Sequence, residues 1–342
     1  MFAKHLIVGL AIVFTFCPLK LVEAKDIDVI AFGSCATQDE PQPIWASIRA
    51  EDPDLFIFLG DNIYGDTVDM DVLQKKYDKL GAMQGFKRLR RQTKVIATWD
   101  DHDFGKDDSG REYPKKEETK AVFLDFFDEP KKSERRDRPG IYTSYMFGKE
   151  GRRVQVILLD LRWFRSPILK GDWPAKGTGS GPYKPHEDGT GEMMGETQWA
   201  WLEGELKKPA DLRIIGSSVQ FNADFHGWEA WENFPHERKR MMNLIDSTEA
   251  NGVMFISGDM HYGEISVDRS GAGYPLYEVT ASGLNRAWLR PEPNRRRLGE
   301  QIYYHHYGLI RVDWKLGYVW MEIRDAGNSL RARHGVPLGD LE

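Results

Sequence analysis

From residue 29 onward one pattern recurs: an apolar, largely β-branched run that stops abruptly at a polar or acidic cluster. "DVIAFGSC" stops at Cys35, "DLFIFLGDNIY" at Asp61, Asn62 and Tyr64, and "KVIATWDDHD" at Asp100, Asp101, His102 and Asp103. "VQVILLDLR" stops at Asp160 and Arg162, "LRIIGSSVQFNAD" at Gln220, Asn222 and Asp224, and "VMFISGDMH" at Asp259 and His261. Runs this continuous predict strands covered on both faces. Between them lie helical patterns: "PIWASIRAE", "DVLQKKYDKLGA" ending at Gly81, and "KKEETKAVFLDFFDEP" stopped by Pro130. "GETQWAWLEGELKKP" spaces Trp199, Leu202 and Leu206 as a helical stripe, and "PHERKRMMNLIDSTEANG" ends on the stop signal Asn251-Gly252. Alternating strands and helices predict an α/β fold with a large central sheet. Residues 166–195, dense in glycine and proline, predict a loop without regular structure, either a surface excursion or a lid.

Composition narrows the picture. The chain of 342 residues is 41% hydrophobic and 29% charged, ordinary for a globular protein. Its formal net charge of −6 argues against a nucleic-acid binder held by phosphate neutralisation, so no specific nucleic-acid partner is expected. No linker divides the sequence, and residues 25–342 are expected to form one domain. The N-terminus differs: Lys4 and His5 precede an apolar stretch from Leu6 to Phe16, and Val22-Glu23-Ala24 offers a cleavage site. That stretch is shorter than the ~20 residues of a membrane span. Residues 1–24 therefore read as a signal peptide, the mature chain as exported, periplasmic or extracellular, with no transmembrane segment. Cleavage would also remove Cys17 and leave Cys35 as the sole thiol. A leftover cysteine in an exported chain suggests intermolecular pairing, a reactive thiol or a metal ligand.

In α/β sheets, ligands bind beyond the carboxyl ends of the strands. Those ends would gather Cys35, Asp61, Tyr64, Asp101, Asp259 and His261 on one rim. Buried carboxylates in that number are costly unless cations neutralise them, and two or more ions balance the set better than one. Two ions about 3.5–4 Å apart can activate a water and neutralise charge on a reacting group together.

Six blocks then carry a specific resemblance. "GDNIY" matches the Gly-Asp-x-x-Tyr block of calcineurin-like metallophosphoesterases, and "WDDHD" and "SGDMHYGE" resemble the forms of two further blocks found in the alkaline phosphatase D (PhoD-like) family. "FGSCAT" resembles that family's opening block, with cysteine in place of the usual aspartate; "LLDLRWFR" and "GETQWAWLE" follow in the expected order. The resemblance implies a two-sheet metallophosphatase sandwich flanked by helices, with the site at the C-terminal strand ends. It implies a metal-dependent phosphoric-ester hydrolase acting on a small phosphate-ester substrate. Asp61 would bridge the metals; Cys35, Tyr64 and His261 would hold Fe3+; Asp101 and Asp259, hard oxygen donors, would favour Ca2+ at the second position. His102 would assist the transition state and Arg162 would clamp phosphate oxygens. A further ligand near Gln220 to His226 stays open, with Asn222 and His226 as candidates. The additional N-terminal β-domain of many family members is expected to be missing here. Alternatives are a phosphodiesterase on lipid headgroups or extracellular nucleic acid, or a catalytically inactive metal-binding surface protein. Monoester or diester preference and oligomeric state are not legible.

Overall fold

A computed structural model describes residues 25–171, 180–224 and 226–342. The expected signal peptide, residues 1–24 with Cys17, lies outside the described residues. In chain order the strands are β1 (Val29–Gly33), β2 (Leu55–Leu59), β3 (Lys94–Thr98), β4 (Thr143–Phe147), β5 (Val154–Leu158), β6 (Leu169–Lys170) and β7 (Tyr183–Lys184). They continue as β8 (Leu212–Ser217), β9 (Val253–Ser257), β10 (Gly263–Asp268), β11 (Leu276–Ala281), β12 (Arg297–Ile302), β13 (His306–Asp313), β14 (Tyr318–Asp325) and β15 (Leu330–Pro337).

Two mixed sheets result, in the orders β15-β14-β13-β1-β2-β3 and β12-β10-β11-β9-β8-β5-β4. The continuous apolar runs supply their parallel cores: β1, β2 and β3 in the first, β5, β8, β9 and β11 in the second. Their continuity has a plain cause. In β2, Leu55, Ile57 and Leu59 face the second sheet, meeting Val156, Leu158, Ile214 and Ile256. Phe56 and Phe58, on the other face, pack with Trp45, Tyr77, Phe86 and Phe123 from the covering helices. Both faces are dry, so no position calls for a polar residue. The outer face of the second sheet is covered by Gly195–Leu206 and Pro235–Ser247, through Trp199, Leu202, Met241 and Ile245. Helix, sheet, sheet, helix is the layering the family resemblance implied, in place of the one large central sheet that the alternation of strands and helices predicts.

Residues 166–195 depart from the expectation, because β6 and β7 pair there as a short antiparallel ladder. Among the described residues no helix is long and apolar enough to cross a membrane.

Two glycines bring the strand ends together. Gly60 has φ +97°, and a Cβ there would sit 2.4 Å from that of Asp100, so only glycine lets the ends of β2 and β3 touch. A Cβ on Gly258 would lie 2.5 Å from Ser34 Oγ, where the end of β9 meets the end of β1.

Candidate metal centre

Just past those ends, four groups of ligand atoms adjoin, each with its members within 4.8 Å of one another: Cys35, Asp61 and His261; Asp61, Asp101 and His102; Asp100, Asp101 and Asp259; Asp101, Asp107 and Asp108. Asp61 belongs to the first two groups and Asp101 to the last three, so the groups form a chain. Tyr64 joins the first, its hydroxyl donating to Asp61 Oδ2 at 3.3 Å, while Cys35 Sγ lies 3.5 Å from the same oxygen. Cys35, Asp61, Asp259 and His261 have φ of 60°, 47°, 70° and 58°. A left-handed backbone at a non-glycine residue stores on the order of 1–3 kcal/mol and persists where the surroundings over-determine it. Here it turns each side chain off its strand and into the common centre.

Electrostatics describe a site short of positive charge. Asp61 Oδ1, Asp100 Oδ2 and Asp101 Oδ1 are buried and have no hydrogen-bond partner. Burial, then neighbouring aspartates, push the Asp61 carboxyl well above its ordinary range; burial with Asp100 and Glu229 does the same to Asp259. Burial raises Asp100 to about 6, against the opposing pull of Arg162. The Cys35 thiol is pushed up by burial and by Asp61, and the Tyr64 phenol by burial and by Cys35. Each shift disfavours the anion, and a cation at the centre would reverse it. The donor set fits two kinds of ion: thiol, phenol and imidazole around Asp61 at one end, carboxylate oxygens alone at the other.

The two histidines are prepared differently. His261 Nδ1 sits 2.6 Å from the carbonyl oxygen of Arg286, which makes Nδ1 the donor and leaves Nε2 a free lone pair. Burial lowers its pKa to about 4, so the ring is neutral. His102 Nδ1 is 2.7 Å from Asp66 Oδ1, and its Nε2 lies 4.0 Å from Asp101 Oδ2. Burial opposes its charge, but Asp101, Asp61 and the Asp66 hydrogen bond outweigh burial and raise it to about 11.

Arg162 is placed otherwise than the phosphate-clamp expectation. It is fully buried; Nε donates to Asp100 Oδ1 at 2.5 Å, and Nη1 and Nη2 each donate to a Glu229 oxygen at 2.7 Å. The fork that would hold phosphate already holds Glu229, so the geometry suits orienting Asp100. Asp103 is likewise structural: its carboxylate accepts from the Asn62 and Ile63 backbone N–H groups and from the Tyr77 hydroxyl, locking the "GDNIY" turn onto the "WDDHD" turn. Asn222 is absorbed by Glu278 and the Leu276 carbonyl, and His226 joins no ligand group among the described residues.

Sequence reasoning missed Glu229, Asp66, Asp108 and Arg290. A pocket of about 240 Å³ opens onto the centre, lined by Asp101, His102, Asp259 and His261 together with Trp228, Glu229, Trp288 and Arg290. Asp108, its carboxyl raised to about 9 by burial and Glu229, receives the Tyr183 hydroxyl from β7. The described ends of the 166–195 loop thus abut the pocket.

The PhoD-like phosphatase family model matches residues 30–268. No curated protein sequence matches the chain. Among solved structures the chain is similar to PhoD, at 16% identity with a TM-score of 0.71, over 91% of this chain and 69% of that one. It is similar to a dimetal phosphatase from Danio rerio, at 14% identity and TM-score 0.57, over 92% of this chain and 100% of that one. It is also similar to GAP50, the anchor in the inner membrane complex of Plasmodium, at 12% identity and TM-score 0.58, over 92% and 89% of the two chains.

Proposed function

Because the chain belongs to the PhoD-like phosphatase family, whose members are metal-dependent phosphoesterases, we propose that it is an exported phosphoric-ester hydrolase of the alkaline phosphatase D type. Cys35, Asp61, Tyr64 and His261 would hold Fe3+, and Asp61, Asp101 and Asp259 would hold Ca2+, with Asp61 shared. The observation that carries this reading is the set of three buried carboxylate oxygens without a hydrogen-bond partner, on Asp61, Asp100 and Asp101, in adjoining ligand groups past the ends of β2 and β3. The fold alone would equally suit an anchor protein such as the Plasmodium neighbour. Buried carboxylate oxygens left without a hydrogen-bond partner are expensive unless a cation occupies the centre, which favours a metal-binding chain.

When bound, the cations supply Lewis acidity, neutralising charge on the phosphoryl group and making water more acidic. The chain's own residues do the rest. Asp66 holds His102 Nδ1–H, so the proton on Nε2 faces the pocket and stands ready for a phosphoryl oxygen or the departing alkoxide. Arg162 and Glu229 orient Asp100 from behind.

The test is hydrolysis of p-nitrophenyl phosphate and bis-p-nitrophenyl phosphate by the mature chain, before and after chelation. Chelator-sensitive turnover is expected, and the two rates rank monoester against diester. Turnover of neither by metal-loaded protein would overturn the reading. Cys35→Ser should lower iron content severalfold while the chain stays folded, because serine keeps the small buried shape but offers a poor ligand. Metal analysis beside circular dichroism checks this; full iron occupancy would return Cys35 to packing.

The pH profile offers a further check. Asp66 favours the charged imidazole, so removing it lowers the His102 pKa. Asp66→Asn should therefore move the alkaline limb of the kcat/KM profile to lower pH, since activity that needs the proton is lost as pH rises through that pKa. An unmoved limb would remove His102 as the proton donor.

A further inference from the structure

The loop that follows β11 carries an arginine whose surroundings differ from those of its neighbours. Arg295, Arg296 and Arg297 are ion-paired with Asp224, Asp268 and Glu264. Arg290 instead lies between two indoles, its guanidinium carbon 4.6 Å from the Trp228 ring centre and 5.4 Å from that of Trp288. Its guanidinium makes no hydrogen bond or ion pair among the described residues, and its backbone carbonyl accepts from Gln301 Nε2 at 3.1 Å. The nearby carboxylate on its own loop, Glu292, is taken: it accepts from the Ser180 backbone N–H at 3.2 Å and from Trp228 Nε1 at 3.0 Å. Glu292 thereby holds Trp228 in place, and none of these bonds engages the Arg290 guanidinium.

The other wall is fixed from the metal centre itself. The Trp288 ring stacks on His261 with centres 3.9 Å apart, and its backbone N–H donates to the His261 carbonyl at 2.8 Å. A continuous stack therefore runs from the candidate ligand His261 through Trp288 and Arg290 to Trp228, and all four line the same small pocket. Stacking on ring faces holds a guanidinium flat and leaves its N–H edges for an acceptor. What the rim recognises is negative charge.

We propose that Arg290 is a specificity-determining residue that binds a second anionic group, a carboxylate or further phosphate, on the organic part of the ester. Small phosphate esters bearing two anions are then the preferred substrate class. This rests on reading the ligand groups as a phosphoesterase site, and the test separates the two claims. Calorimetry with the metal-loaded chain would compare 3-phosphonopropionate, which carries a second anion, with propylphosphonate, which does not. The wild-type chain is expected to bind the first about tenfold more tightly, the scale of one charge-assisted hydrogen bond. In Arg290→Gln that ratio should fall to near one, and Arg290→Lys, which keeps charge but loses the planar fork, should fall between. Equal affinities in the wild type, or a preference surviving in Arg290→Gln, overturns the proposal while propylphosphonate binding keeps the phosphoester reading. If neither phosphonate binds, both fall together.

Discussion

Asp61→Asn is expected to abolish turnover of p-nitrophenyl phosphate, by at least on the order of 10²-fold, the scale of a lost electrostatic stabiliser at a reacting phosphoryl group. Asparagine is the right replacement because it tolerates the φ of 47° at this position and keeps the shape of the carboxylate. What it loses is the charge that two adjoining ligand groups share. The same substitution should act oppositely on the metal-free chain. There the Asp61 carboxyl is buried beside Asp100 and Asp101, and its pKa is raised because the charged form is disfavoured. A neutral amide relieves that, so the metal-free variant should melt no lower than the metal-free wild type. Metal should then raise the melting temperature of the wild type but not of Asp61→Asn. Calorimetry with and without metal, beside the activity assay, reads all of this. A variant that keeps turnover, or keeps the metal-induced rise, would sink the shared-ligand role.

How much of this was legible follows the same physics. The buried parallel strands were visible because dryness on both faces forbids polar residues, and the candidate chemistry was visible because four of the runs, those of β1, β2, β3 and β9, stop at a candidate ligand. Strands on the margins were not: "RLGEQI" and "LRARHGVP" form β12 and β15 at or near a sheet edge, where a wetted face admits arginine and glutamate. The helix Gln84–Gln92 carries only Phe86 and Leu89 as buried residues in a basic segment, too few to mark a stripe. Of the site, the candidate ligands could be named because they are adjacent to strands in sequence. Glu229 could not, because its meaning lies in a bond to Arg162, 67 residues away. The same holds for Arg162: an arginine after a strand end suits a phosphate clamp until its acidic partner is seen. Arg290 adjoins a run that looks like any solvated basic loop, and only the indoles on either side distinguish it.

Glu229 is accordingly the second position where a large effect is expected. Its carboxylate is buried, holds both terminal nitrogens of Arg162, and lies 3.3 Å from Arg165 Nη2. Glu229→Ala would leave two buried guanidiniums short of counter-charge, and breaking such a pair from one side costs about 3–5 kcal/mol. A marked fall in melting temperature should follow. Stability alone does not distinguish a structural pair from a positioning one, and the double substitution Glu229→Leu, Arg162→Met does. Removing both charges together should restore much of the lost stability, since apolar pairs often replace buried ion pairs without penalty. It should not restore the centre, because Asp100 then keeps only the Ser218 hydroxyl on Oδ1, at 2.6 Å, and loses the Arg162 Nε that steers it. Metal affinity and kcat should stay depressed in the stable double variant while KM for p-nitrophenyl phosphate moves less. If the double variant recovers both stability and full activity, the Arg162–Glu229 pair is only a strut. If Arg162 contacts phosphate directly, KM should instead rise in step with the loss, and the buried fork seen here would have to open during turnover.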